Sequence, residues 1–334
     1  MRQGTANWGR FETLVVIPCR NEEATIARVL EEILPFAAQR DARIVVVDGS
    51  STDATVAIVQ SYARRHATLV LMHNPEMLQS AGINRAVARY GANASYLIRV
   101  DAHCRYPADY CAALLDEAQA TGAESVVVRM VAEGSGLVQR AIAAAQNSRI
   151  GNGGSAHRRV GQGAYVDHGH HALMRMSAFR AVGGYDAGFV CNEDAELDLR
   201  LKRAGYLIWM TAKTLIVYVP RPSLRGLFRQ YLRYGEGRAK NLVKHPVLPK
   251  LRQAALLGVY PALILAMLVP LHWGFGIPAI AWALACLAGA LAISLRARDP
   301  SLLLSAVSAG VMHLAWSFGF WSGLWGETLW ERTT

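Results

Sequence analysis

Asp101 and His103 stand one residue apart, directly after the apolar run 96–100. At the end of a buried strand, a carboxylate and an imidazole at this spacing can hold a divalent metal ion. An acidic pair, Glu193 and Asp194, begins a predicted helix. A carboxylate there can act as a general base, or it can simply cap the helix N-terminus. The spacing by itself leaves both roles open for Asp194.

The first hundred residues predict the elements that must position such a site. Short apolar runs predict strands, and amphipathic segments between them predict helices: strands at 13–18, 43–48, 69–72 and 96–100, and helices at 24–39, 53–65 and 79–90. This alternation predicts an α/β fold with a mostly parallel, doubly wound sheet. Ligands bind at the carboxyl ends of the strands in such sheets. Pro18–Glu22, Asp48–Ser50 and Asp101–His103 follow such ends, so we expect them to line one crevice.

The C-terminal third of the chain is unusually apolar. Of the 334 residues, 52% are hydrophobic, and the excess lies in three runs at 254–270, 276–295 and 302–325 that contain no Asp, Glu, Lys or Arg. Runs of this length match the hydrocarbon core of a bilayer. Buried core helices of a second soluble domain are the alternative. The complete lack of charge in all three runs favours transmembrane helices.

The net charge of +10 is concentrated just before the first of these runs. Residues 221–252 contain nine Lys or Arg and a single Glu. A basic segment beside a membrane span is drawn to anionic lipids and marks the cytoplasmic side. Nucleic-acid binding is disfavoured, because the positive charge is not spread over the α/β part. The periodicity of 223–243 predicts a helix that either lies in the membrane interface or packs on the catalytic domain.

Two further features bear on compartment and mobility. The first 13 residues contain no apolar stretch typical of a secretory signal, and the five cysteines show no CxxC spacing, which favours reduced thiols. The glycine-rich segment 151–163 is predicted to be either a disordered linker or a mobile lid. In the second case Arg158 and Arg159 would close on a phosphate.

Five segments, in this order along the chain, together resemble the family 2 glycosyltransferases of the GT-A fold. They are Val15–Glu23, Val45–Thr55, Asp101–His103 in the place of the DxD motif, Asn192–Asp194, and Gln230–Tyr234 in the place of the QxxRW motif, with Tyr for Trp. Within that family, Arg99–His103, Gly169–Ala172 and Tyr234–Ala239 look most like the succinoglycan-type exopolysaccharide glucosyltransferases.

The resemblance implies a binding site for a UDP-sugar donor. The residues that it places there are Pro18, Arg20, Glu22, Asp48, Ser50, Asp101 and Arg233. The carboxylates of Asp48 and Glu22 would accept hydrogen bonds from the uracil and the ribose. A plain helix N-terminal charge is the alternative for Glu22. Arg233 suits the diphosphate of the donor or of the lipid acceptor, or it contacts solvent and lipid headgroups.

The resemblance also implies a divalent cofactor, Mg²⁺ or Mn²⁺, held by Asp101 and His103. The metal would bridge the donor phosphates and neutralise the charge that departs with the nucleoside diphosphate. His103 replaces the second Asp that is commoner in the family, and imidazole shifts the preference toward Mn²⁺. Whether His103 binds the metal directly or lies beside a ligand stays open.

Asp194, with Glu193, is the general base that the resemblance implies. The acceptor would be contacted by His170, His171, Gln230, Arg233 and Tyr234. The two histidines could instead supply a metal nitrogen or be neutral packing residues.

The predicted organisation is a GT-A domain at 1–220, a basic interfacial segment at 221–252 and three transmembrane helices within 253–327. The expected protein is an inverting hexosyltransferase on the cytoplasmic side of the inner membrane. It transfers glucose from UDP-glucose to a sugar on polyprenyl diphosphate during exopolysaccharide biosynthesis. Membrane lipids and other assembly proteins would be its partners, and nucleic acid would not. The alternatives are a sugar transferase to polyprenyl phosphate, a processive synthase, or a non-catalytic protein that binds nucleotide-sugar at the membrane.

Overall fold

The computed structural model describes residues 11–152, 162–247 and 251–331. The chain divides into two compact units. The first comprises Met1–Arg129 and Gly161–Ile216, and the second comprises Met130–Val160 and Val217–Thr334. The domain boundaries predicted at residues 220 and 252 stay predictions. Arg158 and Arg159, the predicted lid residues, lie outside the described residues.

Nine strands are found in the described residues: β1 Thr13–Cys19, β2 Ala42–Asp48, β3 Leu69–His73, β4 Tyr96–Arg99, β5 Cys104–Arg105, β6 Ser125–Ala132, β7 Ala164–Tyr165, β8 His170–Arg175 and β9 Ile208–Tyr218. They form one sheet in the order β3-β2-β1-β4-β8-β6-β9-β5, and β7 pairs with β9. The strands β1 to β4 pair in parallel, as predicted. Beyond them β8 is antiparallel to both β4 and β6, so the sheet is mixed.

The α-helices of the described residues are α1 Ile26–Gln39, α2 Thr55–Ala63, α3 Gln79–Tyr90, α4 Tyr110–Thr121, α5 Gly136–Asn147, α6 Arg149–Asn152, α7 Met176–Ala181, α8 Glu193–Arg203, α9 Leu224–Lys244, α10 Leu251–Leu257, α11 Val259–Ala266, α12 Ile277–Ala297 and α13 Ser305–Glu331. Each helix predicted from periodicity is present, with ends that differ by at most two residues. In α1 the apolar residues recur at helical spacing and are buried: Ile26, Val29, Leu30, Ile33 and Leu34.

The strand register brings the predicted strand ends to one edge of the first unit. Cys19 at the end of β1 pairs with Asp48 at the end of β2. Val16 pairs with Arg99 at the end of β4. Because parallel strands share a direction, the turns after all three strands emerge on the same side. The residues that follow β1, β2 and β4 therefore line a common edge, as the sequence predicted.

The second unit is helical. Ile142 of α5 and Leu227 of α9 pack in one buried cluster with Cys286 of α12 and Met312 of α13. The apolar stripe predicted on α9 is thus partly buried against neighbouring helices. Gly235 of α9 packs closely on the backbone of α13. Small residues allow two helix backbones to approach in this way.

Two helical segments, Trp273–Ala297 and Pro300–Gly326, are long and apolar enough to cross a bilayer by length and composition. The first predicted span differs, because it forms α10 and α11 with a break at Gly258. Neither piece alone has the length of a span. Leucines on α12 remain largely exposed, among them Leu284, Leu287, Leu291 and Leu295. An exposed apolar face of this size is atypical of a core helix in a soluble domain.

Replacing Gly319 with alanine should destabilise the second unit. A Cβ at Gly319 of α13 would collide with the carbonyl oxygen of Leu232 in α9. Overpacking of this kind costs about 1–3 kcal/mol, measurable as a lower midpoint of thermal unfolding in detergent. Gly326→Ala is the matched control, since no described atom lies within 4 Å of the added Cβ. Equal midpoints for the two variants would contradict the close packing of α9 on α13.

Candidate active site

The turn after β2 is built around Asp48. This carboxylate is buried and accepts hydrogen bonds from the backbone N–H of Ser51 at 3.2 and 3.3 Å. Ser50 has a φ of 62°, which a non-glycine residue adopts only when its surroundings compensate. Its hydroxyl lies 3.0 Å from His73 Nε2 on β3. The predicted donor residues Asp48 and Ser50 therefore sit in a fixed turn.

The turn after β1 is fastened to the same region. Pro18 belongs to β1, and the exposed Arg20 follows the end of that strand. The backbone N–H of Glu22 donates to Thr55 Oγ1 at 2.8 Å. Glu22 Oε2 accepts from Thr25 Oγ1 at 2.8 Å. Its other oxygen, Oε1, lies 3.3 Å from His103 Nδ1. Two residues that the sequence placed in different roles are thus neighbours.

Asp101 lies just beyond β4, and both of its carboxylate oxygens have partners. Oδ1 accepts from Arg99 Nε at 3.1 Å and from Gln79 Nε2 at 3.0 Å, while Oδ2 lies 3.2 Å from His170 Nε2. Burial alone would raise the pKa of Asp101, but the charge of Arg99, with His170 and His103, holds that pKa well below its ordinary value. Asp101 is therefore ionised at neutral pH.

A divalent cation fits the residues beside Asp101. Asp101, His103 and Cys104 each offer one ligand atom, and these atoms lie within 4.8 Å of one another. An ionised carboxylate suits Mg²⁺ or Mn²⁺, and the exposed imidazole of His103 shifts the preference toward Mn²⁺. Burial, followed by the charge of Asp101, raises the pKa of the Cys104 thiol, so the free thiol stays protonated at neutral pH.

Asp194 is directed across the first unit toward β4 and β8. Its Oδ1 lies 2.5 Å from Arg99 Nη1 and 3.3 Å from His171 Nδ1, and its Oδ2 lies 3.7 Å from His170 Nδ1. These contacts occupy both carboxylate oxygens with side chains of other elements. They account for the position of Asp194 better than a helix-capping role does.

The adjacent carboxylates of Glu193 and Asp194 have pKa values displaced in opposite directions. Burial raises the pKa of Asp194, but Arg99, His171 and His170 outweigh burial and leave it below its ordinary value. Burial and the neighbouring charge of Asp194 raise the pKa of Glu193. Such a separation allows one of two neighbouring carboxylates to stay ionised as a base.

Arg99 joins the two acidic groups, and the sequence analysis gave it no role. Its guanidinium is 5% exposed and also lies 3.4 Å from Glu193 Oε1. One sequence signal could have identified it: Arg99 and Asp101 are two residues apart, so they face the same side of an extended chain. A charged residue inside a buried strand also needs an opposite charge nearby.

His171 and Asp198 form a second buried group behind Asp194. His171 Nε2 lies 2.7 Å from Asp198 Oδ1, and its Nδ1 lies 2.8 Å from the Tyr185 hydroxyl. Asp198 Oδ2 accepts from the backbone N–H of Gly169 at 3.2 Å and lies 2.7 Å from His168 Nδ1. The sequence analysis did not single out Asp198. Its spacing of four residues from Asp194 puts both on one helix face.

Three of the predicted acceptor residues lie on α9, in the second unit. Gln230 Nε2 donates to the hydroxyls of Tyr218 and Tyr234, at 2.9 Å in each case. Arg233 is exposed on the same helix. Within the second unit, Gln230 and Tyr234 thus belong to one hydrogen-bonded cluster, while His170 and His171 belong to the group around Asp194.

Comparison with known proteins gives concordant relatives. The chain matches the model of the family described as "Glycosyl transferase family 2" over residues 14–183. It is 51% identical over 312 residues to the succinoglycan biosynthesis protein ExoA of Rhizobium meliloti (strain 1021), covering 93% of this chain and 94% of that protein.

Two less similar proteins also align with most of this chain. A dolichyl N-acetyl-alpha-D-glucosaminyl phosphate 3-beta-D-2,3-diacetamido-2,3-dideoxy-beta-D-glucuronosyltransferase of Methanococcus voltae is 21% identical over 325 residues, covering 93% of this chain and 96% of that protein. The solved structure of the mannosyltransferase PcManGT from Pyrobaculum calidifontis, in complex with GDP-Man and Mn²⁺, aligns with a TM-score of 0.57 and 18% identity. It covers 96% of this chain and 89% of that one. This last likeness is one of fold.

Proposed function

Because the chain belongs to glycosyl transferase family 2, we propose that it is an inverting, metal-dependent hexosyltransferase at the cytoplasmic face of the membrane. It transfers a hexose, glucose in our proposal, from a UDP-sugar to a sugar carried on polyprenyl diphosphate. The product would be an intermediate of exopolysaccharide biosynthesis. The 51% identity to a succinoglycan biosynthesis protein supports this role.

The observation that carries the proposal is the arrangement of Asp101, Arg99 and Asp194. A single buried guanidinium contacts the carboxylate proposed for the donor side and the carboxylate proposed as the base. Sugar transfer needs two such groups close together: one at the leaving diphosphate and one at the acceptor hydroxyl. The contacts of Asp194 with Arg99, His171 and His170 support its ionised state, which a general base requires.

The proposed reaction is a single displacement at C1 of the donor sugar. Asp194 accepts the proton of the acceptor hydroxyl, and the acceptor oxygen forms a bond to C1 of the sugar. The bond between C1 and the donor phosphate oxygen breaks, and its electron pair leaves with UDP. Attack from the face opposite the leaving group inverts C1.

The donor side is assigned to the turns after β1, β2 and β4. Asp48 and Glu22 would accept hydrogen bonds from the uracil and ribose, with Pro18, Arg20 and Ser50 lining the same edge. A divalent ion held by Asp101 and His103 would supply charge neutralisation at the departing diphosphate. The Mn²⁺ in the structure of the Pyrobaculum relative supports such a requirement.

On the acceptor side we place His170 of the first unit, while His171 is fully buried behind Asp194. The acceptor contacts of Gln230, Arg233 and Tyr234 on α9 stay predictions from the sequence. A lipid-linked acceptor would reach the protein from the bilayer. The two span-length apolar helices and the basic segment before them support such a membrane location.

The deciding experiment is a transfer assay in detergent with radiolabelled UDP-glucose and three acceptors: polyprenyl phosphate, polyprenyl diphosphate and a sugar on polyprenyl diphosphate. Label that appears only on the third acceptor supports the proposal. Label on polyprenyl phosphate would make the protein a sugar transferase to the carrier itself, and label in a long polymer would make it a synthase. Binding of UDP-glucose without transfer to any acceptor would contradict a catalytic role.

Removing divalent cations should abolish transfer. Without the cation, the charge that develops on UDP is opposed only by protein groups, and we expect a loss of at least about 100-fold, typical of removing a major electrostatic stabiliser. Activity is measured after EDTA treatment and again after adding back Mn²⁺ or Mg²⁺ in excess. A His103→Ala variant whose Mn²⁺-to-Mg²⁺ activity ratio changes would support direct ligation by His103. Full activity in excess EDTA would contradict the metal requirement.

A further inference from the structure

Two buried residues, His171 and Asp198, lie behind Asp194. His171 is fully buried and Asp198 is 1% exposed. Burying a carboxylate is costly unless it is paired, so this pair needs an explanation. His168 and the backbone N–H of Gly169 occupy the second carboxylate oxygen of Asp198.

The His171 ring lies between two carboxylates and a hydroxyl. Asp198 Oδ1 faces Nε2 at 2.7 Å, and Asp194 Oδ1 faces Nδ1 at 3.3 Å. An ionised carboxylate can only accept hydrogen bonds, whereas a neutral imidazole has a single N–H. Nε2–H donates to Asp198, while Nδ1 either accepts from the Tyr185 hydroxyl at 2.8 Å or, in the doubly protonated ring, donates to it. Only the doubly protonated ring places a positive charge 3.3 Å from the Asp194 carboxylate.

The charges around the ring favour the same form. Burial alone would lower the pKa of His171, but Asp198 and Asp194 outweigh burial and raise it. Burial would raise the pKa of Asp198, but His171 and His168 lower it to about 2. The groups that face His171 are Asp194 and Asp198 from α8, Tyr185 from the preceding loop and, with an opposing positive charge, Arg99 from β4.

We propose that Asp198 and His171 are positioning residues for the general base: Asp198 holds His171 as an imidazolium, and His171 holds the Asp194 carboxylate ionised and in one orientation. The inference rests on the proposed function, because it assumes that Asp194 acts as the base. Neither residue needs to touch a substrate. Together they would form a carboxylate–imidazolium–carboxylate series that runs from the protein interior to the reacting hydroxyl.

The test is Asp198→Asn, which keeps the shape of the side chain and removes its charge. His171 then becomes neutral, and Asp194 loses a cationic partner. We expect kcat to fall about 10–100-fold, the equivalent of losing a hydrogen bond between charged groups, with the KM for UDP-glucose unchanged within about twofold. Asp167→Asn is the matched control, because Asp167 is exposed and pairs with Lys202 at the surface.

The pH dependence of kcat separates positioning from a merely structural role. The charged groups around Asp194 are Arg99, Glu193, His170, His171 and Asp198. When the imidazolium is lost, the pKa of Asp194 rises, because a positive charge 3.3 Å away disappears. The acid limb of the kcat profile should therefore move to higher pH in Asp198→Asn. A lower unfolding temperature with an unchanged kcat and acid limb would overturn the inference.

Two further variants keep the test decisive. His171→Gln should reproduce the loss of kcat, and the double variant His171→Gln/Asp198→Asn should lose no more than the worse single variant, because the two residues act as one unit. Additive losses would overturn the inference. If Asp198→Asn does not fold, the test rests on His171→Gln, and an acid limb identical to wild type in that variant would overturn the inference.

Wild type and Asp194→Asn are assayed in parallel so that the two ideas can fail separately. A wild-type protein without sugar transfer contradicts the proposed function. The positioning inference alone is contradicted if wild type is active, Asp194→Asn is inactive and Asp198→Asn behaves like wild type.

Discussion

Asp194→Asn should lower kcat for sugar transfer by about 10²–10⁴-fold, the contribution typical of a positioned general base. Asparagine keeps the size of the side chain but cannot accept the acceptor proton. The substitution should leave donor binding intact, because the donor is assigned to the turns after β1, β2 and β4. The measurements are initial rates with radiolabelled UDP-glucose and the dissociation constant of UDP from calorimetric titration.

Glu193→Gln is the informative comparison for this prediction. Glu193 is adjacent and similarly buried, and it contacts Arg99 at 3.4 Å, whereas Asp194 also contacts His170 and His171. We expect it to lose less than a tenth as much activity as Asp194→Asn. A larger loss of activity in Glu193→Gln than in Asp194→Asn would make Glu193 the base. Full activity in both variants would show that neither residue is the base.

Arg99→Met should produce the largest loss of stability. Arg99 contacts Asp101, Asp194 and Glu193, and methionine fills a similar volume without charge. Removing one partner of a buried ion pair leaves an uncompensated charge and costs about 3–5 kcal/mol. In a unit of this size the unfolding midpoint should fall by roughly 6–20 °C. Thermal unfolding in detergent, followed by circular dichroism, measures the shift.

Arg85→Met provides the control for this second prediction. Arg85 pairs with Glu76 at 2.9 Å, but both side chains are more than two-fifths exposed. Exposed pairs of this kind are worth about 0–1 kcal/mol, so the midpoint should move by only a few degrees. Similar midpoints for Arg99→Met and Arg85→Met would show that the carboxylates around Arg99 do not depend on it.

The fold could be predicted from local pattern because its first half is governed by short-range rules. The apolar runs and the turns after them predicted β1 to β4 and the helices between them, and the structure confirms each one. The membership in the glycosyltransferase family, predicted from five short segments, is also confirmed. The strand-end rule correctly brought the residues after β1, β2 and β4 to one edge of the sheet.

The parts that escaped prediction depend on contacts between distant residues. Arg99 and Asp194 are 95 residues apart, and nothing local to either reveals that they touch. The antiparallel strand β8 brings His170 and His171 beside Asp101 and Asp194. This strand was not predicted, because an antiparallel pair lacks the alternating strand and helix pattern by which β1 to β4 were identified. The break at Gly258 in the first apolar run was not predicted, because hydropathy depends on composition and does not show where a helix ends. The catalytic and binding roles of the site residues stay predictions.

The interleaving of the two units limits how the protein can be divided. The chain leaves the first unit after Arg129, returns at Gly161 and leaves again after Ile216. A protein truncated at Ile216 to remove the apolar helices would still carry α5, but without the partners that cover Ile142 and Ala145. Its apolar face would then be exposed to water. A water-soluble catalytic fragment therefore requires polar substitutions on α5 in addition to the truncation.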